Sequence, residues 1–279
     1  MLSLHFVRFV LPVLCSFFLL FQQSNASARE IPFTLSNGYI LVQASVDSRP
    51  VTLLLDSGAS ASVLSLEAAR SLHLATGKAH FVDGVDADGT AFDLKPVASS
   101  ARGISLGDIQ LAIDLRNAAQ LCPRHIDGLI GAGFFEGRVT QIDYANRRIV
   151  FLDKPPAQGE PLPLRFQNGV FCLPVAVNGS KPRWTRLDTG CNDALHWVVP
   201  RIVSNERRGV SIGFVTNSAD QTRVSVGLGN IRLHKVETAL HASPIFPGEA
   251  GLLGGGILSR YRVTIDDRAG RIILAPAAR

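Results

Sequence analysis

Apolar residues in this chain fall in short runs rich in Val, Ile and Leu, each broken by Gly, Pro, Asn or Asp. Runs of that length and composition predict β-strands joined by tight turns. Strands are expected over residues 39–46, 51–55, 91–97, 109–115, 149–152, 170–177, 222–226, 231–240 and 271–274. Helical spacing is clearest over 65–72, where Ser65 stands as a cap and Leu66, Ala69 and Leu72 share one side. A further short helix is expected over 133–135 or 256–258. Residues 154–163 carry four prolines and a glycine and read as a linker.

The pattern on the two sides of that linker is nearly the same. Asn37-Gly38 opens a run ending at Val46, and Asn168-Gly169 opens one ending at Val177, a shift of 131 residues. The next turn is one residue longer in the second copy, so that Val51–Leu55 leading into Asp56-Ser57-Gly58-Ala59 is answered, at a shift of 132, by Arg183–Leu187 leading into Asp188-Thr189-Gly190-Cys191. Asp127-Gly128-Leu129-Ile130-Gly131 is answered by Ala250-Gly251-Leu252-Leu253-Gly254. Each copy closes alike, with Val139-Thr140-Gln141-Ile142-Asp143 before Arg148-Ile149-Val150, and Arg262-Val263-Thr264-Ile265-Asp266 before Arg271-Ile272-Ile273. Agreement in order, spacing and residue type at three separated places implies a duplicated unit, with copies over 29–153 and 164–279.

Duplication gives the two Asp residues their chemical interest. Like-placed carboxylates in two similar halves can meet across a pseudo-twofold axis, where like charges a few ångströms apart cannot both ionise and one proton is shared. Such a pair supplies a base that takes a proton from water and an acid that hydrogen-bonds a carbonyl oxygen. Gly58 and Gly190 allow the close backbone approach this needs.

Composition narrows the setting. Residues 1–28 read as a secretory leader: His5 and Arg8, an apolar core over 9–21, and Ala26-Ser27-Ala28 as a cleavage pattern. The protein is therefore expected to be exported, to a periplasm or the extracellular space, with an uncleaved membrane anchor as the other reading; Cys15 lacks the preceding small residue of a lipidation site. Past the leader no stretch is long and apolar enough to span a bilayer. The net charge of +5 falls to +4 when Arg8 leaves with the leader, and the basic residues are scattered, which excludes a nucleic-acid surface. Cys122, Cys172 and Cys191 form an odd set, leaving at least one unpaired. No Cys or His pair has zinc-ligand spacing, so neither metal nor cofactor is expected, and Cys191 reads as a packing residue.

The paired triplets, each followed downstream by two apolar residues and a Gly, resemble the half-sites of the aspartic proteases, both pepsin-like and retropepsin-like, and the resemblance extends over residues 31–276. It implies an all-β, bilobal fold of two homologous six-stranded barrels of the double-psi type. It implies catalytic roles for Asp56 and Asp188, and support of the catalytic loops by Ser57, Gly58, Thr189 and Gly190. The Ser57 and Thr189 hydroxyls would grip the opposite half, with Leu129-Ile130-Gly131 and Leu252-Leu253-Gly254 packed beneath. The activity implied is endopeptidase hydrolysis of a peptide or protein substrate without a cofactor. Both half-sites lie on one chain, so a monomer without a removable pro-segment is expected.

Three departures from the pattern stand out. Pepsins carry a hydroxyl residue directly after the triplet, whereas Ala59 and Cys191 stand here, Ala being the retropepsin-like choice. The flap region, 77–98, has no Tyr; its hairpin is expected over 82–92 with Asp88-Gly89 as the turn, and Asp83, Asp86, Asp88 and Asp93 read as the acids of a solvated turn in preference to a calcium loop. Arg186, two residues before Asp188, replaces the Leu54 of the first copy, and reads either as a snorkelling or acid-paired structural residue or as a cation at the cleft wall selecting acidic substrates. These departures keep open a protease-fold binding or regulatory protein without activity.

Overall fold

A computed structural model of the chain describes residues 29–82, 89–116, 122–199 and 220–277. The expected leader and the flap residues Asp83, Asp86 and Asp88 lie outside those residues. The protein is mostly β, with strands gathered into three sheets.

The first sheet has eight strands, in the spatial order Thr34–Ser36, Tyr39–Val46, Arg49–Leu55, Gly128–Ile130, Val63–Ser65, Ile104–Ile113, Gly89–Ala101 and Thr76–Val82. The second has seven: Arg165–Gln167, Val170–Val177, Arg183–Leu187, Gly251–Leu253, Leu195–Val198, Ile231–His241 and Asp220–Leu228. From their first hairpins onward the two orders correspond, except that Thr76–Val82 at the edge of the first has no counterpart among the described residues of the second. In each, the strand leading to the Asp triplet pairs in parallel with the short strand of the Gly-Leu-(Ile/Leu) motif. In each, the long hairpin strand also returns to pair with a distant one, Tyr39–Val46 with Gly89–Ala101 and Val170–Val177 with Asp220–Leu228, so both sheets curl back on themselves.

Local chemistry dictates the hairpins. Asn37-Gly38 and Asn168-Gly169 have positive φ at both residues, 49° and 84° in the first and 52° and 76° in the second. That is the backbone of a two-residue turn whose twist matches the flanking strands, and Asn-Gly adopts it most readily. The helix Leu66–Ser71 starts as the sequence predicts, the Ser65 Oγ accepting the Ala68 N–H at 2.9 Å. Both candidates for the second helical turn form, as a 3₁₀ turn over Ala132–Phe135 and a short helix over Gly255–Leu258.

The third sheet is a departure from two six-stranded units. It has six antiparallel strands, in the order Glu30–Pro32, Arg148–Phe151, Val139–Asp143, Tyr261–Asp266, Arg271–Pro276 and Glu160–Pro163. At its centre the two equivalent closing strands pair with each other, Val139 opposite Asp266, Gln141 opposite Thr264 and Asp143 opposite Arg262. Equivalent residues facing each other across an antiparallel pair define a local twofold axis, here between Gln141 and Thr264, whose side chains hydrogen-bond at 2.9 Å. The last four residues of the expected linker are thus a strand: Glu160–Pro163 pairs with Arg271–Pro276 at the sheet edge. The flap hairpin is also shifted. Gly89 is paired with Val82, so it belongs to the strand and not to the turn.

One large buried cluster runs through both halves, from Ile40, Leu53 and Leu55 through Phe134 and Phe135 to Phe171, Leu187 and Leu253. Phe135 and Phe171 meet edge to face at 6.2 Å and join the halves with apolar area. A smaller cluster of Tyr39, Leu41, Leu54, Val63, Leu115, Cys122, Ile126 and Leu129 belongs to the first half alone.

Candidate active site

Each Asp lies one residue past the end of a buried strand, Asp56 after Arg49–Leu55 and Asp188 after Arg183–Leu187. The ladder continues just far enough to hold both, the Asp56 N–H donating to Ile130 O at 2.9 Å and the Asp188 N–H to Leu253 O at 3.0 Å. Each chain then turns so that the next glycine donates back to the carboxylate, Gly58 N–H to Asp56 Oδ1 and Gly190 N–H to Asp188 Oδ1, both at 2.9 Å. The same floor supports both loops. Ala132 N–H donates to Ala59 O at 2.8 Å in the first half, and Gly255 N–H to Cys191 O at 2.7 Å in the second.

The two loops lock by reciprocal bonds. Ser57 N–H donates to Thr189 Oγ1 (2.9 Å) and Thr189 N–H to Ser57 Oγ (3.1 Å). The Ser57 hydroxyl donates to Leu187 O and the Thr189 hydroxyl to Leu55 O, each at 2.8 Å. All of these groups are buried, so each bond also satisfies an atom that would otherwise be stranded.

The carboxyls of Asp56 and Asp188 lie close enough for each to shift the proton affinity of the other. The glycines make that approach possible: a Cβ on Gly58 would fall 2.5 Å from the Asp188 carboxyl carbon, and one on Gly190 would strike the Asp56 carboxyl in the same way. Burial pushes both carboxyls above their ordinary range. Asp188, further raised by the charge of Asp56, is pushed up to about 8. Asp56 is raised by burial and held back by the Gly58 N–H and by Asp188. The pair therefore keeps one proton through neutral pH and titrates as a unit.

Arg186 is not a substrate-facing cation. It is only 6 % exposed, and its guanidinium forks onto the equally buried Glu249, Nε to Oε2 and Nη2 to Oε1, both at 2.7 Å. Its remaining arm, Nη1, donates across the halves to Gly58 O at 2.9 Å, and Phe246 covers the guanidinium face with its ring centre 3.4 Å away. The acid-paired reading of Arg186 holds, with an addition. The residue grips the opposite Asp loop, and its charge lowers both carboxyls against the effect of burial.

Glu249 and Phe246 are residues that the sequence reading missed, although the repeat carried a signal for Glu249. By the spacing of the two Gly-containing motifs Glu249 corresponds to Ile126, and Arg186 corresponds to Leu54. Leu54 and Ile126 lie in one apolar cluster in the first half. An apolar pair in one copy has become an ion pair in the other, and two coordinated apolar-to-charged departures of opposite sign identify facing positions.

Cys122, Cys172 and Cys191 are free thiols. Among the described residues one group has metal-ligating character, Cys191, Asp193 and His196, contrary to the expectation from spacing alone.

No curated protein matches this chain. Residues 42–134 match the family model described as Aspartyl protease, a span holding the Asp56-Ser57-Gly58 loop and the Asp127–Gly131 motif that supports it. Over residues 42–134 the chain is thus similar to an aspartyl protease domain.

Proposed function

We propose that the protein is an aspartic endopeptidase in which Asp56 and Asp188 act as one acid–base pair on a single water. The observation that carries this reading is the reciprocal lock of Ser57 and Thr189, which holds two buried carboxyls in contact at the ends of two equivalent strands. A working carboxyl pair has to be held to a fraction of an ångström, and a buried, fully bonded loop pair does so.

Water bound between the carboxyls loses a proton to the charged member of the pair as its oxygen attacks the peptide carbonyl carbon. The protonated member donates its hydrogen bond to the carbonyl oxygen, where negative charge develops. Collapse of the tetrahedral intermediate breaks the C–N bond as the amine takes up a proton, and the pair returns to its singly protonated state. Arg186 touches no reacting atom; it positions Gly58 and keeps the shared proton from becoming too tightly held.

The same reading treats the two curled sheets as copies of one barrel, spanning 29–153 and 164–279, with the six-stranded sheet formed where the copies close against each other. One chain then supplies both half-sites and works as a monomer. Residues 1–28 direct export and are removed, which N-terminal sequencing of the mature protein tests.

Peptide hydrolysis is tested with the purified full chain on a diverse peptide library at mildly acidic and neutral pH. Cleavage at defined sites supports the proposal. Saturable peptide binding with no cleavage across that pH range contradicts it and supports the inactive binding reading instead.

A further inference from the structure

Directly after the second Asp loop lies a cluster that the proposed hydrolysis does not use. Cys191 Sγ, a carboxylate oxygen of Asp193 and a ring nitrogen of His196 all lie within 4.8 Å of one another. Thiol, imidazole and carboxylate are three different ligand types, and together they suit a borderline-soft transition metal and not calcium or magnesium. We infer that Cys191, Asp193 and His196 form a three-ligand site for a divalent transition metal of the zinc type, with its remaining position open to solvent.

Each ligand is held by the fold. His196 is fully buried on the strand Leu195–Val198, which is paired on one side with Ile231–His241 and on the other with Gly251–Leu253. The Cys191–Asp193 loop is fastened by backbone donors from the glycine run opposite, Gly255 N–H to Cys191 O at 2.7 Å and Gly256 N–H to Asp193 O at 3.1 Å. Those glycines also make room: a Cβ on Gly254 would lie 3.1 Å from Cys191 Sγ and strike the Asp193 carbonyl. Exposure increases from His196 through Cys191 to Asp193, whose side chain is 55 % exposed. The cluster therefore faces solvent on its Asp193 side.

His196 has the outer partner that a metal-bound imidazole needs. One ring nitrogen, Nε2, is 2.9 Å from Asp193 Oδ2, and the other, Nδ1, is 3.0 Å from His241 Nε2. Without metal, Nε2 carries the hydrogen and donates to Asp193, and Nδ1 accepts from His241. A metal entering between Cys191, Asp193 and His196 replaces the Nε2 hydrogen, and that proton leaves to solvent. His241 Nε2 passes its hydrogen to His196 Nδ1, and His241 Nδ1 takes one from solvent. The Cys191 thiol proton also leaves to solvent as the metal–sulfur bond forms, so one proton is released overall. His241 thereby fixes the ring of His196 in its metal-binding tautomer, the role outer-shell partners play in known sites.

The test uses the full chain, kept reduced with a phosphine and stripped of metal, titrated with cobalt(II). One equivalent should bind and give both the near-ultraviolet thiolate-to-cobalt band and the visible bands of a four-coordinate ion. Zinc should displace it, and calcium and magnesium should not. Cys191→Ser should abolish the thiolate band. Asp193→Asn, a change at an exposed side chain, should weaken cobalt binding by roughly tenfold or more and so provides the test if Cys191→Ser fails to fold. Binding without a thiolate band, no binding at all, or equal affinity in wild type and Asp193→Asn would each overturn the inference. None of these readouts depends on peptide hydrolysis.

Discussion

Arg186 and Glu249 allow the second half of the site to be converted, side chain for side chain, to the first. Arg186→Leu alone removes both bonds to Glu249 and the bond to Gly58 O, and leaves a carboxylate that is 5 % exposed with no ion-pair partner among the described residues. Breaking one side of a buried pair costs about 3–5 kcal/mol, which for a chain of this size lowers the unfolding midpoint by about 6–20 °C. Arg186→Leu with Glu249→Ile reproduces the Leu54–Ile126 arrangement. Exchange of a whole buried pair for apolar groups is neutral or stabilising by about 1–4 kcal/mol, so the double variant should recover most or all of the loss. The proton affinity of the pair should not recover with it. Arg186 favours the charged form of both carboxyls, so its removal raises their pKa in either variant. Activity that requires one charged carboxylate should then have its acid limb displaced upward. Thermal unfolding and pH–rate profiles of the three proteins give both readouts. A single variant that melts within 2 °C of wild type would refute the stability argument, taking the low end of about 3 kcal/mol. An unmoved acid limb in an active double variant would refute the electrostatic one.

Further predictions follow from the lock, the glycines and the burial of the carboxyls. Thr189→Val removes the hydroxyl donor to Leu55 O and the acceptor for Ser57 N–H, and should cost about 2–4 kcal/mol by chemical denaturation, while Thr189→Ser should cost much less. Gly58→Ala places a Cβ 2.5 Å from the Asp188 carboxyl carbon and should reduce kcat by far more than it changes KM, because it displaces the pair and not the substrate. The raised Asp188 makes stability depend on pH in a defined direction. A carboxyl whose pKa is raised on folding contributes stability that is complete below its unfolded value of 3.8 and is lost as pH rises through its folded value of about 8. Asp188→Asn has no such group, so its unfolding midpoint should gain on wild type across that window and level off above it.

Much of the fold was legible because duplication turns one sequence into two readings of the same pattern. The strands Tyr39–Val46 and Val170–Val177 fall where their apolar runs and Asn-Gly turns place them. The third sheet was not legible, since pairing of Val139–Asp143 with Tyr261–Asp266 is a contact between distant segments that no local pattern records. Glu160–Pro163 reads as linker because of its prolines, yet an edge strand tolerates proline where the missing N–H would face away from the sheet. At the site, the Asp-Ser/Thr-Gly triplets carry their chemistry in sequence. The Arg186–Glu249 pair spans 63 residues and becomes visible only when both departures from the repeat are compared. The Cys191–Asp193–His196 cluster has no familiar ligand spacing because two of its members lie in the loop before the strand Leu195–Val198 and the third on that strand.

The account rests on Asp56 and Asp188 working as one pair, and kcat/KM of the wild type beside Asp56→Asn and Asp188→Asn, each checked for folding, tests that most directly. Each Asn variant keeps the shape of the loop and removes the shared proton, so either one should lose peptide hydrolysis by roughly a hundredfold to ten-thousandfold, the range for loss of an acid–base group, and the double variant should be little worse than the singles. Turnover near the wild-type rate in a folded Asp188→Asn protein would contradict the claim.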